Sequence, residues 1–347
     1  MAAPPPIDVS VVLVNYHGAD HIEDCVASLV ADPDAPATEI LIVDNASEDE
    51  SPAIAERLAA AHEQVHLLRS PTNRGYSGGV NVGLEQARGR FIAVLNIDME
   101  VEPGWLRPLL AELAEHPEAA VVCPLMVLKA DPGLINAAGQ DVHVTGLGFN
   151  KLLGEPRATA GEASFRTSGL HGGAFVIRRD VLESLGGWDE SGFLYHEDVQ
   201  LSWLLQLVGA DVRVVPASIV VHDYHLTMHP TKLYLLERNR GAMVLANLSI
   251  PALIGLAPLM LVTEAMMWGF CLMRGFSFLR AKASSYRWIL SHLPRLRERR
   301  RFIRGLRRRS DGAILRRLRW GYPWDQFIHL GRERGLEARR EIPFRTF

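Results

Sequence analysis

The sequence predicts an α/β fold in which a mostly parallel, Rossmann-like sheet carries helices on both faces. Two observations predict it. Short, nearly uninterrupted apolar runs alternate with helical segments over residues 9–98, and each run ends at polar residues. Such runs are typical of strands that are buried on both faces, and a strand–helix–strand rhythm favours parallel pairing through crossover helices.

The first strands and helices can be assigned from their ends. Ser51 and Pro52 open a helix, because Ser is a preferred N-cap residue and Pro fits the first helical position. Gly89 ends a later helix. The predicted strands are 9–14, 39–43, 65–68 and 91–95, and the predicted helices are 21–31, one that begins at 51, and 78–87.

The chain beyond residue 120 is less regular. Residues 127–168 are rich in Gly, Ala and short polar residues, and we expect an irregular connection that forms a loop around a pocket. Asp180 is expected to cap a helix that ends at Gly186. The further predicted elements are a strand at 172–177, a helix at 198–207, and strands at 212–215 and 218–221.

Charge is distributed unevenly along the 347 residues. Residues 274–347 contain 21 Lys/Arg and 6 Asp/Glu, whereas the preceding residues contain the remaining 16 and 34. A net charge of +15 behind an acidic body indicates an anionic partner, either nucleic acid or lipid. The three cysteines fit no metal-ligand spacing and no disulfide framework, which favours a reducing compartment. Residues 1–6 do not read as a secretory signal.

Polar residues follow three of the predicted strands. They are Asn15 after the first strand, Asp44 and Asn45 after the second, and Asn96 and Asp98 after the fourth. Ligands of open α/β sheets bind beyond the carboxyl ends of the strands. We therefore expect these side chains to share one site, although polar residues also end strands for simple reasons of loop solvation.

Five segments, in this order and spacing, resemble the family-2 glycosyltransferases of GT-A fold, and most closely their rhamnosyltransferase-like branch. The resemblance runs from about residue 9 to about residue 239, roughly two thirds of the chain. The segments are Val11-Val12-Leu13-Val14-Asn15-Tyr16, Ile42-Val43-Asp44-Asn45-Ala46-Ser47, Asn73-Arg74-Gly75-Tyr76-Ser77-Gly78-Gly79, Leu95-Asn96-Ile97-Asp98 and His196-Glu197-Asp198.

The resemblance implies a divalent cation, Mn²⁺ or Mg²⁺, bound by Asp98 and His222. Asn96-Ile97-Asp98 stands where the family keeps an Asp-x-Asp-like motif, and Asn96 leaves the site one charge poorer. Hard oxygen ligands suit either cation, and an imidazole favours Mn²⁺. His225 and His229 are nearby, so the choice of histidine stays open.

The resemblance also implies a nucleotide-sugar site. Asp44 would contact the nucleobase or the ribose, and Arg74 could pair with a phosphate. Gly75 and Gly79 would let the backbone approach the donor closely. The residues that we assign to the donor are Asn15, Asp44, Asn45, Asn73, Arg74, Gly75, Gly79, Asn96 and Gly173.

Glu197-Asp198 matches the acidic pair that supplies the family's general base. By resemblance Asp198 takes the proton of the acceptor hydroxyl with Glu197 in support, in a single displacement with inversion. Acidic residues also favour helix N-termini for dipole reasons. Gln200 and Leu204 depart from the Asp and Arg that often follow in the family, which leaves the acceptor's identity open.

Residues 250–273 form an apolar segment with Glu264 as its single charge, long enough to cross a bilayer. One crossing would place the basic tail opposite the cytoplasmic catalytic domain, against the positive-inside rule. We therefore expect a segment that lies in the interface or dips and returns, on an anionic membrane surface. The alternative is a buried helix of a soluble subdomain. The predicted domains are 1–240, catalytic, and 241–347, a helical membrane-associated extension.

Together these features predict a metal-dependent, inverting glycosyltransferase at the cytoplasmic face of a bacterial-type plasma membrane, peripheral or monotopic. It would move a sugar, rhamnose as the first guess, from a nucleoside diphosphate to a lipid-linked cell-envelope glycan. A soluble acceptor and a catalytically degenerate nucleotide-sugar or membrane-binding scaffold remain alternatives. A nucleotidyltransferase is disfavoured, because Asn15-Tyr16-His17-Gly18 replaces the expected Gly-rich basic loop. Nucleic acid is not expected, since the apolar segment beside the basic tail favours lipid.

Overall fold

The computed structural model describes residues 7–32, 35–225, 227–324 and 326. Its strands are β1 Val9–Asn15, β2 Thr38–Asp44, β3 Val65–Arg69, β4 Phe91–Asn96, β5 Met99–Val101, β6 Ala119–Leu128, β7 Asp131–Ala137, β8 Gln140–Val142, β9 Gly148–Asn150, β10 Phe165–Thr167, β11 Ala174–Arg178 and β12 Asp211–His222. Its helices are α1 Ile22–Val30, α2 Ser51–Ala61, α3 Gly75–Gln86, α4 Leu106–Glu115, α5 Arg179–Ser184, α6 Glu197–Val208, α7 Pro230–Asn247, α8 Ile250–Arg274, α9 Phe276–Ser291, α10 Leu293–Leu306 and α11 Asp311–Leu315.

The chain forms two compact units. The first contains the residues up to Gln140 together with Asn150–Leu205 and Ala210–Tyr224. The second contains Asp141–Phe149, Gln206–Gly209 and the chain from His225 onwards. The domain border that the sequence predicts near residue 240 falls inside α7, which belongs wholly to the second unit.

The first unit is built on one large sheet with the strand order β10-β12-β6-β11-β4-β1-β2-β3, to which β5 adds beside β12 and β7 beside β6. Strands β3, β2, β1 and β4 are parallel, whereas β11 runs antiparallel between β4 and β6. The prediction of an α/β fold with a mostly parallel central sheet is confirmed.

Helices cover both faces of this sheet, as the alternation of side chains along β1 shows. Val11 and Leu13 join a buried cluster that contains side chains of α1, α2 and α4. The other face receives α3, where a Cβ on Gly79 would stand 2.6 Å from Val14 Cγ1. Small residues on α3 therefore set how closely this helix approaches the strand.

Three local predictions were wrong. Residues 127–168 are not one irregular connection, since β7, β8, β9 and β10 lie there. Strand β7 pairs with β6, β10 pairs with β12, and β8 pairs with β9 in a separate two-stranded sheet. Short polar segments do not reveal such partners. The two strands predicted at 212–215 and 218–221 form one strand, β12, with a register shift between Val215 and Ile219. Helix α5 begins at Arg179, so Asp180 lies in its first turn and does not cap it.

The second unit is helical over most of its described length. Among the described residues one helix, α8, is long and apolar enough to cross a membrane by length and composition. Helix α9 contacts both α7 and α8, and α10 contacts α7. Ser249 caps α8 by accepting a hydrogen bond from the Ala252 amide, as expected for serine at this position.

Candidate active site

The carboxyl ends of three parallel strands bring the predicted donor residues together. Asn15 of β1 stands in register with Asp44 of β2, and Val14 stands in register with Asn96 of β4. Asn15 Nδ2 donates to Asp44 Oδ1 at 3.0 Å and to Ser51 Oγ at 2.8 Å. Because Asn15 is fully buried, its contribution is to orient Asp44 at the edge of the sheet.

Asn45 organises the loop that precedes α3. Its Nδ2 donates to the Gly75 carbonyl at 2.9 Å, and its Oδ1 accepts from the Arg74 amide at 3.0 Å. Asn73 Oδ1 accepts from the Gly75 amide at 2.8 Å. The structure thus gathers the predicted residues of strand β2 and of the Asn73–Gly75 loop into one hydrogen-bonded turn. Such a turn presents backbone amides and Arg74 at the helix start, a suitable place for anionic groups.

Gly75 is required by its backbone and by its neighbour. Its φ is +70°, which favours glycine, and a Cβ there would stand 2.1 Å from the Phe193 carbonyl oxygen. Phe193 lies in the segment that leads to α6. Gly75 therefore lets the Asn73–Gly75 loop pack against the segment that leads to the predicted general base.

Arg74 is already ion-paired. Its Nη2 lies 2.6 Å from Glu190 Oε1, which also accepts from Asn81 Nδ2 at 2.9 Å. A phosphate at Arg74 would share the guanidinium with Glu190. The sequence alone did not predict Glu190 or Asn81. Glu190 lies 116 positions from Arg74, and Asn81 lies just beyond the motif at residues 73–79.

Gly79 and Gly173 have packing reasons for being glycine. Gly79 lies against Val14, and a Cβ on Gly173 would stand 2.2 Å from Met99 Cε. The Gly173 carbonyl accepts a hydrogen bond from the Asn96 amide at 2.8 Å, which joins β11 to β4. Direct contact of these two glycines with a donor stays a prediction.

Asp98 and His222 lie side by side, with His222 Nε2 3.5 Å from Asp98 Oδ2. Burial alone would raise the pKa of Asp98, but the hydrogen bond and charge of His222 outweigh it, so the pKa is lowered. His222 Nδ1 lies 2.8 Å from Asn136 Oδ1, which fixes a proton on Nδ1 and turns Nε2 towards Asp98. His229, by contrast, caps α7 by accepting from the Lys232 amide.

The same pair could hold a divalent cation. The side-chain oxygens Asn96 Oδ1 and Asp98 Oδ1 are buried and have no hydrogen-bond partner among the described residues. In the described part of the chain no three His, Cys, Asp or Glu side chains are grouped to enclose a metal. Mg²⁺ and Mn²⁺ sites of phosphoryl substrates typically use one or two carboxylates and complete their shell with phosphate oxygens and water. Asp98 and His222 fit that type of site.

Asp198 lies in the first turn of α6 and is held by three donors. Its Oδ2 accepts from Gln140 Nε2 at 2.6 Å and from the Gly172 amide at 3.3 Å, while Oδ1 accepts from the Val199 amide at 2.7 Å. Gln140 is a buried side chain that sequence reasoning missed. The three donors hold the side chain of Asp198 in one orientation.

Glu197 has a different environment from its neighbour. Its Oε2 is buried and has no partner among the residues that the structure describes. Burial, and then the charge of Asp198, raises the pKa of Glu197 to about 8. With a pKa of about 8, the carboxyl group of Glu197 is mostly protonated near neutral pH.

Tyr76 interacts electrostatically with Asp98 and with the acidic pair Glu197-Asp198. Its hydroxyl donates to the Gly172 carbonyl at 2.8 Å. Burial raises the pKa of Tyr76, with further contributions from the charges of Glu197, Asp198 and Asp98. The phenol therefore stands within electrostatic range of all three acids.

The segment before α6 is strained. Phe193, Tyr195 and His196 all have positive φ, between 62° and 73°, although none is glycine. Non-glycine residues in the left-handed region cost free energy, and they cluster at functional sites. The strain ends at Glu197, where the acidic pair begins.

The fold is that of the GT-A glycosyltransferases. It is similar to the structure of GalNAc-T7 with UDP, GalNAc and Mn²⁺, at a TM-score of 0.59 and 20% identity over 70% of this chain and 48% of that chain. It is also similar to the mannosyltransferase PcManGT from Pyrobaculum calidifontis with GDP-Man and Mn²⁺, at 0.52 and 19% identity over 88% of each chain. These two likenesses show a shared fold.

Residues 10–186, just over half of the chain, match the model of glycosyl transferase family 2, and the chain belongs to that family. It is 29% identical, over 67% of its length and 85% of the relative, to the N-acetylglucosaminyl-diphospho-decaprenol L-rhamnosyltransferase of Mycobacterium tuberculosis. It is 28% identical, over 64% of its length, to the pre-mycofactocin glycosyltransferase of the same organism, of which it spans only 44%.

Proposed function

We propose that this glycosyltransferase moves a sugar from a nucleoside diphosphate to a hydroxyl of a lipid-linked glycan. Rhamnose is the first candidate for that sugar. The observation that carries the proposal is the junction at Gly172 and Gly173. The Gly172 amide holds Asp198, and the Gly173 carbonyl holds the amide of Asn96, two residues before Asp98. The residues that we propose as the base and as part of the cation site are thus joined to the two ends of one short backbone segment.

Different residues of the site would bind the nucleoside, hold the cation and remove the proton. Asp44 and the Asn45 turn would bind the nucleoside, and Asp98 with His222 would hold Mn²⁺ or Mg²⁺ at the diphosphate. A bound cation offsets the negative charge that grows on the diphosphate as the glycosyl bond breaks. Asp198 would take the proton of the acceptor hydroxyl as that oxygen attacks the anomeric carbon. One base and one displacement give inversion of the anomeric configuration.

Two observations support the donor and acceptor. The rhamnosyltransferase relative covers two thirds of this chain, and its name states an L-rhamnosyl transfer to a lipid diphosphate acceptor. The exposed apolar helix α8 would suit an enzyme whose acceptor stays in a membrane. We expect the enzyme at the cytoplasmic face of a bacterial-type plasma membrane, because nucleotide sugars are made in the cytoplasm.

Purified full-length protein with Mn²⁺ tests the proposal. Release of nucleoside diphosphate would be followed with thymidine-diphosphate rhamnose, UDP-GlcNAc, UDP-GalNAc and GDP-mannose, each with and without a bacterial lipid extract. We expect release with the rhamnose donor that depends on lipid and is lost in Asp98→Ala and Asp198→Asn. Glu183→Gln, which changes an exposed ion pair with Arg179, is the control and should keep full activity.

Other results would point elsewhere. Lipid-independent release onto a water-soluble glycan would indicate a soluble acceptor. Nucleotide binding without release from any donor would indicate a degenerate scaffold. Failure of the protein to bind any of the four donors would contradict the proposed glycosyltransferase activity. An anomeric signal in the product that matches the donor's configuration would exclude inversion.

A further inference from the structure

The outer, exposed face of α8 is apolar, whereas the exposed face of an amphipathic helix in a soluble protein is polar. Ile254 and Leu261 are 70% exposed and Leu272 is 71% exposed, whereas Thr263 and Cys271 are fully buried. The exposed positions recur at helical spacing along the helix, and none is polar: Ile250, Pro251, Ile254, Gly255, Pro258, Leu261, Val262, Ala265, Trp268, Gly269, Leu272 and Met273. A continuous apolar face of this length marks an interaction surface.

Glu264, the only acidic residue of α8, faces the neighbouring helices. Arg240 of α7 donates to its Oε1 at 2.5 Å, and Lys282 of α9 donates to its Oε2 at 2.7 Å. Tyr286 of α9 donates to the same carboxylate. These contacts fix the rotation of α8, so that its charge points inward and its apolar stripe outward.

The charges of this cluster balance. Glu237 pairs with Arg240 at 2.9 Å and with Lys282, which is 1% exposed. Burial alone would raise the pKa of Glu237, but Arg240 and Lys282 hold it well below its usual range. Two carboxylates therefore face two cations, and the cluster adds no net charge to the unit.

The cluster opposes a spanning orientation of α8. Glu264 is the fifteenth of 25 residues, so a spanning helix would place it near the centre of the bilayer. Its partners Arg240 and Lys282 would have to follow, together with the other charges of α7 and α9. Charged side chains at that depth are costly. A helix that lies parallel to the membrane plane keeps the cluster on the protein side.

Helix α10 of the same unit supplies positive charge. It contains six arginines and one glutamate. Four of the arginines are exposed: Arg295, Arg297, Arg301 and Arg304. Basic residues near a membrane surface are attracted to anionic headgroups, whereas a neutral surface offers them nothing comparable.

We propose that the exposed face of α8 is a monotopic docking surface, which lies in the headgroup region of an anionic phospholipid bilayer and does not cross it. The inference deepens the membrane part of the proposed function. It rests on the geometry of the helical unit, and its tests measure lipid binding and depth without turnover. Loss of activity and loss of docking can therefore be told apart.

Label depth separates a lying helix from a spanning one. Single cysteines at Ile254, Leu261 and Leu272, in a background where Cys25, Cys123 and Cys271 are replaced by serine or alanine, would carry an environment-sensitive fluorophore. The outer two positions are 18 residues, about 27 Å, apart along the helix. We expect the three labels to be quenched equally by shallow lipid quenchers on anionic vesicles. A deep label at 261 with shallow labels at 254 and 272 would overturn the proposal.

Vesicle flotation of the full chain tests the surface itself. We expect binding to phosphatidylglycerol-containing vesicles and at least tenfold weaker binding to pure phosphatidylcholine. Ile254→Gln, Leu261→Gln and Leu272→Gln together should raise the half-saturating lipid concentration about tenfold or more. Arg→Gln at positions 295, 297, 301 and 304 should raise it roughly a hundredfold on anionic vesicles. Arg→Gln at the exposed positions 57, 69, 107 and 166 of the sheet unit removes the same number of charges as a matched control and should leave it unchanged.

Two results would contradict the docking surface. Failure of wild-type protein to float with either vesicle would do so directly. Lipid-free dimerisation that is abolished by the triple glutamine variant, together with absent flotation, would show that a second copy covers the face. Far-UV circular dichroism and melting of each variant separate lost docking from lost folding.

Discussion

Gln140 Nε2 donates a 2.6 Å hydrogen bond to Oδ2 of Asp198, the predicted general base. The bond keeps the carboxyl group of Asp198 in one orientation. The two residues are 58 positions apart, and Gln140 opens β8 in a segment that shows no motif. The structure thereby identifies a positioning residue that the sequence does not reveal.

We expect Gln140→Leu to lower kcat by roughly ten- to a hundredfold, because the carboxylate loses its orienting donor. The dissociation constant of the donor nucleotide should stay unchanged. Gln140→Glu would place a second carboxyl group beside Asp198, so the acidic limb of the pH–kcat profile should move to higher pH. An unshifted profile in Gln140→Glu would show that Gln140 does not act through Asp198.

The pH–rate profile can distinguish the two acids of the pair. A base works in its deprotonated form, and Glu197, with a pKa of about 8, is mostly protonated at pH 7. If Asp198 is the base, kcat should stay level between about pH 6 and 8 and fall by about a thousandfold in Asp198→Asn. Glu197→Gln should retain far more activity. A rate that rises through pH 8 in wild type, and no longer in Glu197→Gln, would assign the base to Glu197.

Asn136 should tune metal binding through His222. It accepts from His222 Nδ1 and so leaves Nε2 towards Asp98. Partners of this kind typically change metal affinity by about ten- to a hundredfold. We expect Asn136→Leu to raise the dissociation constant of Mn²⁺, measured by electron paramagnetic resonance in the presence of UDP, by that factor. His222→Ala should raise it further, and His66→Ala on β3 is the control. Equal Mn²⁺ binding in all variants would remove His222 from the site.

The sequence predicts the strand-end half of the site because that half is local. Parallel strands end at one edge, so Asn15, Asp44 and Asn96 had to lie near one another once the strands were recognised. The family motif adds Glu197 and Asp198. The strands and helices up to β4 follow from the alternation of apolar runs with helical segments, with errors of a few residues at their ends.

The second half of the site depends on long-range contacts. Gln140 and Asn136 belong to residues 127–168, for which the sequence predicts an irregular loop. Glu190 meets Arg74 across 116 positions. No local periodicity encodes such pairs, since they arise only when β6, β7 and α6 have packed. The strand at 172–177 was predicted, but the antiparallel direction of β11 was not, because its neighbours β4 and β6 set it.

Gly75 and Gly154 form a matched pair for testing backbone strain against a steric clash. Both have positive φ, +70° and +78°, but a Cβ on Gly154 would meet nothing within 4 Å. Alanine at either position costs roughly 1–2 kcal/mol for the left-handed conformation. Gly75→Ala should destabilise by more, because its Cβ would overlap the Phe193 carbonyl, and it should weaken nucleotide binding at least tenfold. Equal melting temperatures and equal UDP affinities for the two variants would show that the Gly75–Phe193 packing has no role.

The buried charge cluster makes the stability of the helical unit depend on acid. The pKa of Glu237 is lowered from its ordinary value of 4.5 in the folded chain, because Arg240 and Lys282 outweigh the effect of burial. A lowered folded-state pKa contributes stability that is present above the unfolded value and is lost as the pH falls below it. Glu237→Gln should destabilise by about 3–5 kcal/mol at neutral pH, since it leaves two buried cations with one partner. The same variant should also reduce the steepness of the stability loss below about pH 4.5. Urea unfolding from pH 7 to pH 3 measures both effects, with Glu183→Gln as the exposed control. Similar stability–pH curves for wild type and Glu237→Gln would mean that the cluster is not ionised as a unit, and that Glu264 does not need it to hold α8 in place.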